Sequence, residues 1–165
     1  MALSAWKGPK GTLHPICSLR SELPRSRIDH AGWGVEGDSS AREFALRIVG
    51  SAPWLDLQGL DASQRSAYHA ACALVANHVA VLVAEGRGIL SALTRAEADE
   101  LWRVLDGLIQ SAVANLMTLG IPAGVTGPVA RGEMQVAAQH AAALGCRAGA
   151  LYEMLSSRLA ERLAQ

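Results

Sequence analysis

The sequence predicts a mainly α-helical protein that carries a small α/β segment at its amino-terminal end. Helix-forming residues dominate the chain after Asp61, and apolar residues recur there at helical spacing. The first sixty residues are instead rich in Gly, Pro and Ser and contain short β-like stretches. We therefore predict a partial α/β segment over residues 1–60 and a helical unit over residues 61–165.

The front segment has the pattern of strands around one short helix. Residues 12–19, 33–36 and 53–57 are typical of strands. Between the last two, Ser40 and Glu43 form a capping-box pattern that predicts a helix ending at Val49. A strand, a helix and a strand in this order predict a βαβ unit with a right-handed crossover and parallel strands.

A long central helix is predicted to follow. Asp61 and Gln64 have capping-box spacing, and the apolar pattern runs on from Tyr68 as far as Leu90. Residues 67–84 are apolar on almost every side, which is typical of a helix buried on most of its surface. We therefore expect a bundle of about four to six helices packed around this one.

Three more helices are predicted beyond the central one. Thr94 and Glu97 form another capping-box pattern, and the helix that follows should stop at Gly120 and Pro122. After a loop over residues 124–128, the stretches 134–144 and 148–163 have helical composition. The helical unit is therefore expected to continue to the end of the chain.

Charge argues against binding to polyanions. The chain has 15 basic and 15 acidic residues, so no net field favours nucleic acid or an anionic membrane. Only 18% of the residues are charged while half are hydrophobic, which indicates more apolar surface than a monomer of this size can hide. A homodimer is therefore expected.

Cysteine usage and the apolar runs indicate the compartment. Cys17, Cys72 and Cys146 are odd in number and widely spaced, which fits reduced thiols rather than a disulfide framework. Residues 1–10 lack an apolar core of signal-peptide length, and Asn77 and His78 interrupt the longest apolar run, residues 70–84. We expect a cytoplasmic protein that neither is exported nor spans a membrane.

One polar stripe crosses the apolar central helix. Arg65, His69, Ala73 and Asn77 are spaced by four and therefore share a face. A neutral imidazole can exchange a proton near neutral pH and a carboxamide can hold a carbonyl or hydroxyl oxygen, which suits carbonyl reduction or alcohol oxidation. The alternative is that these residues, like His78 and His140, are buried polar groups satisfied by their neighbours.

The loop between the later helices offers a second candidate site. Residues 125–133 combine the hydroxyl of Thr126, a Gly127-Pro128 turn, the guanidinium of Arg131 and the carboxylate of Glu133. Such a loop can bind an anion or a carboxylate. It can equally be a turn between helices in which Arg131 pairs with Glu133.

Motifs of other site classes are missing from the sequence. It contains no GxGxxG, no Walker loop, no Gly-x-Ser-x-Gly elbow and no His and Cys spacing typical of zinc, so no metal is expected. His14 precedes Pro15 and should therefore be extended, which alone is weak evidence of a site.

Three motifs taken together indicate a family. They are Leu13-His14-Pro15, then Tyr68-His69-Ala70-Ala71 with Ala76-Asn77, then Thr126-Gly127-Pro128 with Arg131-Gly132-Glu133. In this order they resemble the domain of unknown function 2520 family, and the resemblance runs from about Gly11 to near the carboxy terminus. It implies a Rossmann-like NAD(P)-binding domain followed by a helical domain similar to the carboxy-terminal domain of 6-phosphogluconate dehydrogenase.

The resemblance also implies roles for particular residues. Asn77 looks like the helix asparagine that β-hydroxyacid dehydrogenases place beside the substrate, but Ala73 stands where their lysine would be. His69 is then the available proton donor or acceptor, and His14-Pro15 looks like the loop that prephenate dehydrogenase-type enzymes place near the nicotinamide. The glycine-rich first βαβ unit has no counterpart here, which fits a late start, a fragment, or a short form that has lost its nucleotide half.

These implications give the following functional hypothesis. The chain would be the substrate-binding and dimerisation domain of an oxidoreductase that uses NADP or NAD, bound mostly outside this chain. His69 and Asn77 would be catalytic, Thr126, Gly127, Pro128 and Arg131 would bind an acidic substrate group, and His14 and Pro15 would contact the cofactor. The alternative is a noncatalytic dimerisation module or a truncated, inactive fragment.

Overall fold

The computed structural model describes residues 6–22 and 25–165. Their elements are β1 (Gly11–Ile16), a 3-10 helix (Arg25–His30), β2 (Gly32–Gly37), α1 (Ser39–Val49), β3 (Trp54–Asp56), α2 (Ala62–Ala76), α3 (Val79–Leu93), α4 (Ala98–Leu119), α5 (Met134–Ala143) and α6 (Gly145–Leu163). The predicted fold class, mainly α with a small α/β part, is confirmed. The chain divides into two compact units between Ala80 and Val81. The predicted division near residue 60 stays a prediction.

The first unit is built on a three-stranded sheet in the order β1-β2-β3. β2 and β3 are parallel, with Trp33 opposite Trp54, and α1 connects them, so the predicted βαβ unit is confirmed. β1 runs antiparallel to β2 and places His14 opposite Gly34. Val35 of β2 and Ala45 and Val49 of α1 form a buried cluster at one face of this sheet.

The start of α1 differs from its prediction. Asp38 is the N-cap residue, and its carboxylate accepts a hydrogen bond of 3.0 Å from the backbone N–H of Ala41. The predicted capping box of Ser40 and Glu43 is therefore wrong, because an aspartate two positions earlier already satisfies the free N–H groups of the first turn.

The start of α2 is as predicted, but its burial is not. Asp61 and Gln64 form a reciprocal capping box with hydrogen bonds of 2.8 and 2.9 Å. No residue of α2 or α3 is buried, and Val75 is 81% exposed. The expectation of a helix buried on most sides is wrong for this chain. An apolar pattern predicts a surface that is favourable to bury, but it does not show whether the same chain or another molecule covers that surface.

The exposed apolar helix bears on the expectation that no segment spans a membrane. The stretch Ala62–Leu93 is long and apolar enough to cross a bilayer, judged by length and composition only, and none of its most apolar window is buried. A single stretch of this kind is weak evidence, since helices of soluble proteins also meet these two criteria. The expectation therefore stays a prediction.

The second unit contains the remaining helices. α4 buries Leu101 and Leu105 and ends at Gly120, whose φ of 69° lies in the left-handed region, so the predicted stop is confirmed. The predicted capping box at its start is wrong. Glu97 is the N-cap residue without a side-chain cap, and Thr94 instead donates its hydroxyl to the carbonyl of Leu90 at 2.8 Å, at the end of α3.

α5 and α6 pack closely at a glycine. Gly149 of α6 is buried and faces the backbone carbonyl of Ala141 in α5 so tightly that a Cβ atom would overlap it. Gly145, with a φ of 73°, separates the two helices. Both helices were predicted from composition, and α6 begins three residues earlier than the predicted stretch at Ala148.

Candidate functional site

A cleft in the first unit brings together the candidate residues of β1 and α2. Its volume is about 580 Å³, within the range of small-molecule sites. His14 and Pro15 come from the sheet side, and His69 and Asn77 come from the helix side. The structure therefore places four residues singled out in the sequence, from two separate segments, around one space.

Three aromatic rings form the centre of the cleft. The Nδ1 atom of His14 lies 2.7 Å from the hydroxyl oxygen of Tyr68, with the direction of the hydrogen bond set by the imidazole tautomer. The ring centroid of His69 lies 5.5 Å from that of His14 and 5.0 Å from that of Tyr68. Two imidazoles and a phenol are thus close enough to contact the same small ligand.

The hydroxyl of Tyr68 is held in its protonated form. Burial raises the pKa of this phenol above its ordinary value, and the neighbouring Cys72 thiol contributes in the same direction. At neutral pH the hydroxyl therefore keeps its proton, and it can serve as a neutral hydrogen-bond donor to a ligand or to His14.

Gly34 makes room for the tyrosine. It is buried in β2, opposite His14, and a Cβ atom added to it would lie 2.9 Å from the Tyr68 hydroxyl and 2.6 Å from Cδ1 of Leu57. Both distances are shorter than carbon atoms tolerate, so any side chain at this position would displace the tyrosine or the leucine. Glycine in the middle of a strand is thereby explained.

His69 and Asn77 are exposed in the cleft. The alternative in which they are buried groups satisfied by a surrounding core does not describe this unit. Asn77 is also the residue at which α2 ends, and its backbone N–H donates to the carbonyl of Ala73 at 2.8 Å. Its side chain is therefore at a helix end, where a ligand can approach it.

Two arginines of the first unit form ion pairs with carboxylates of the sheet. Arg65, one turn before His69, forms an ion pair with Glu36 of β2. Arg42 donates two hydrogen bonds, of 2.6 and 2.7 Å, to the carboxylate of Asp56. These bonds, with one from the backbone N–H of Gln58, lower the pKa of Asp56 to about 2.

The second candidate loop lies in the other unit. Thr126 and Arg131 are exposed, and the backbone N–H groups of Arg131 and Glu133 donate to the carbonyl of Pro128 at 3.1 and 2.9 Å, which defines a tight turn. Arg131 donates two hydrogen bonds, of 2.9 and 2.7 Å, to the carboxylate of Glu133. This pairing matches the alternative in which the loop is a turn between helices.

Sequence reasoning missed Tyr68 at the cleft centre, the glycine that makes room for it and the two thiols of the cleft. Tyr68 stands in the motif that indicated the family but received no role, and Gly34 received none. Cys17 and Cys72 both line the cleft and were predicted only to be reduced. Gly34 inside the predicted strand 33–36 was the available signal, since strand glycines often mark a close approach.

Comparison with solved structures shows where this fold recurs. Protein TM1727 from Thermotoga maritima superposes with a TM-score of 0.71 at 20% identity, covering 94% of this chain and 62% of its own. The putative NADP oxidoreductase BF3122 from Bacteroides fragilis gives 0.72 at 19% identity, covering 97% and 60%. The chain thus spans about three fifths of the length of both, and at these identities the likeness shows the fold alone.

The remaining comparisons concern sequence. A search of curated proteins finds no match. A family model described as "Domain of unknown function (DUF2520)" matches residues 31–159, which is well over half of the chain. The match includes the residues of α2 and of the loop before α5 that suggested the resemblance. The chain therefore belongs to the domain of unknown function 2520 family.

Proposed function

We propose that this chain is the substrate-binding and dimerisation part of an NAD(P)-dependent oxidoreductase that acts on a carbonyl or alcohol. The observation that carries the proposal is the cleft in which His14, Tyr68 and His69 surround one space, with Asn77 at its edge. Imidazoles and a protonated phenol are groups that exchange a proton with an oxygen whose carbon gains or loses hydride.

Each residue of the cleft has one task in this proposal. His69 gives a proton to the carbonyl oxygen during reduction, or takes it from the alcohol during oxidation. The Asn77 carboxamide donates to the same oxygen and fixes its position, and the Tyr68 hydroxyl and His14 hold each other in place. A nicotinamide cofactor would supply or accept the hydride.

The cofactor is proposed from two lines of support. One structural relative is described as an NADP oxidoreductase, and His14-Pro15 lies in the cleft, as expected for a segment beside a nicotinamide. The sequence has no GxGxxG to bind a pyrophosphate at a helix end. We therefore propose NADP or NAD, held mainly by a nucleotide-binding part outside these residues.

The loop of the second unit has a narrower role in the proposal. A substrate-binding role for Thr126, Gly127 and Pro128 stays a prediction. The anchoring of an acidic group by Arg131 is left out, because its guanidinium already has a bidentate carboxylate partner in Glu133.

The first test measures hydride transfer. In a protein that carries this chain together with a nucleotide-binding part, turnover of NADPH or NADH with a panel of aldehydes and ketones should fall about 10²- to 10⁴-fold in His69→Ala, the usual contribution of general acid catalysis, without a change in melting temperature. His78→Ala is the matched control, since His78 is also exposed, stands one residue after Asn77 and does not line the cleft. Asn77→Ala should lower turnover with the fold intact.

The opposite outcome identifies the alternative function. Absence of both NADPH or NADH binding and turnover in a protein that carries this chain together with a nucleotide-binding part would indicate a noncatalytic module. A large loss of melting temperature in both His69→Ala and Asn77→Ala would point the same way, since it would assign these residues to structure.

We also propose that the chain forms a homodimer in the cytoplasm through α3. Exposed apolar side chains on this helix include Val81, Leu82 and Leu93. Glu85 and Arg87 lie in the same helix, and Arg87 stacks 5.0 Å from the ring of Trp102 in α4, so a hydrocarbon environment would leave charges without water. A second copy covers such a surface at lower cost. The free state of all three cysteines supports a reducing compartment.

Introducing charge into this helix should separate the dimer. Sedimentation equilibrium of Val81→Glu/Leu82→Glu should give a monomer, whereas Leu119→Glu, which adds charge at the exposed end of α4, should remain dimeric. A monomeric parent protein at tens of micromolar, or one that partitions into lipid vesicles, would contradict the proposal.

A further inference from the structure

We infer that the cleft between β1 and α2 selects an uncharged ligand, a carbonyl or alcohol on a compact apolar body, and discriminates against carboxylates and phosphates. The inference rests on the proposed function for the reacting group, and it adds the charge class of the substrate. The resemblance to β-hydroxyacid dehydrogenases alone would have suggested an acidic ligand.

The lining of the cleft is the first observation. Among the residues that the structure describes, none of those that line the cleft is Lys, Arg, Asp or Glu. Its polar atoms belong to imidazole, phenol, carboxamide, hydroxyl and thiol groups, and the rest of the surface is aliphatic, including Ile16, Leu55 and Val75. Such a surface offers hydrogen bonds to one or two oxygens and apolar contact to a carbon skeleton, but no counter-charge.

The state of the surrounding cations is the second observation. Arg65 is the cation on the same helix as His69, and it is paired with Glu36. Arg42 is held by Asp56 through two hydrogen bonds. To bind an anion, either guanidinium would have to break the ion pair with its carboxylate. The new ion pair would replace one of similar strength and leave that carboxylate without a partner, so anion binding would gain little.

The third observation is the hydrogen-bond chemistry of the cleft. Tyr68 keeps its proton at neutral pH and the imidazoles of His14 and His69 can each donate or accept, so the site can pair with both a carbonyl oxygen and a hydroxyl. An anion that gives up water for these donors meets no Lys or Arg side chain among the described lining residues. An alcohol of the same shape loses much less hydration.

The test uses two compounds that differ only in charge class. 4-Methylbenzyl alcohol and 4-methylbenzoate have nearly the same shape, and both can be titrated while the imidazole C–H signals of His14 and His69 are followed by NMR. The alcohol should bind at least about tenfold more tightly, and the His69 signals should move. Equal or tighter binding of the benzoate would overturn the inference, and so would no binding of either compound.

A variant that adds a positive charge to the cleft provides a second test of the ligand's charge class. Val75 lines the cleft and is 81% exposed, so Val75→Arg should leave the fold intact. It should strengthen benzoate binding by about tenfold or more and reverse the preference, whereas the control Val75→Gln, with a long uncharged side chain, should not. An unchanged preference in Val75→Arg would count against the inference.

These measurements need no nucleotide. Selective binding of the alcohol, without NADPH turnover by a protein that carries this chain together with a nucleotide-binding part, would reject the hydride-transfer role and leave the ligand class standing. Turnover of carboxylate-bearing carbonyls in preference to neutral ones would support the oxidoreductase role and overturn the charge class.

Discussion

Replacing Gly34 with alanine should weaken ligand binding in the cleft about two- to tenfold. The new Cβ atom would lie 2.9 Å from the Tyr68 hydroxyl and 2.6 Å from Cδ1 of Leu57, so one or both side chains must shift. Leu57 is only 8% exposed and has little room, and the tyrosine, whose tip lies in the cleft, is the easier group to move. Its hydrogen bond with His14 would then be lost, a contribution of about 0.5–1.5 kcal/mol.

Two controls locate the effect at the tyrosine. Gly32→Ala changes the same strand, but its Cβ atom would meet nothing nearer than 3.7 Å, so binding of 4-methylbenzyl alcohol should be unchanged. Tyr68→Phe should weaken binding on its own, and the double variant Gly34→Ala/Tyr68→Phe should be no weaker than about the stronger of the two single losses. Additive losses would show that Gly34 acts through another route, such as Leu57.

Gly149→Ala should give the largest loss of stability of the substitutions considered. The added methyl group meets the backbone carbonyl of Ala141, which cannot rotate away as a side chain can, so α5 and α6 must separate. Overpacking in a tight contact costs about 1–3 kcal/mol, and a backbone obstacle places this substitution at the upper end. Urea unfolding should show a lower midpoint for the second unit.

The matched control is a helix glycine in open space. Gly107 lies within α4, and a Cβ atom there would meet nothing within 4 Å. Gly107→Ala should therefore raise stability by about 0.5–1 kcal/mol, through helix propensity alone. If Gly149→Ala were also stabilising, the close contact between α5 and α6 would not exist in solution.

The existence and kind of most elements could be predicted from local patterns. The capping box at Asp61 and the stop at Gly120 are short-range features, in which a few consecutive residues determine the geometry. The starts of α1 and α4 could not be predicted correctly, because Asp38 and Ser40, and Thr94 and Glu97, are competing caps within one turn. The local sequence does not show which of two such competing residues caps the helix.

The candidate site was predictable only in part, for a different reason. His14 and Tyr68 are 54 positions apart, and no periodicity relates a strand residue to a helix residue at that distance. The stripe of His69 and Asn77 followed from helical spacing, but its exposure did not, because burial depends on which elements pack against the helix. The role of Gly34 depends on both partners and is visible only in three dimensions.

The register of the sheet determines which backbone groups β1 offers to other chains. In β2, the N–H of Trp33 donates to Pro53 and the carbonyl of Val35 accepts from Leu57, so these residues face β3. Alternate residues of a strand direct their backbone N–H and C=O groups toward opposite neighbouring strands. The remaining residues of β2 therefore direct theirs toward β1, where they lie opposite Thr12, His14 and Ile16.

The outer edge of β1 therefore exposes the backbone of Gly11, Leu13 and Pro15. Proline has no N–H, so its place on this edge removes one of three donors that a further strand would need. A continuous ladder of backbone hydrogen bonds between the edges of two sheets leads to fibrous association. Pro15 prevents such a ladder from extending along the whole of β1. The same His-Pro pair that positions an imidazole in the cleft thus also limits aggregation along the sheet edge.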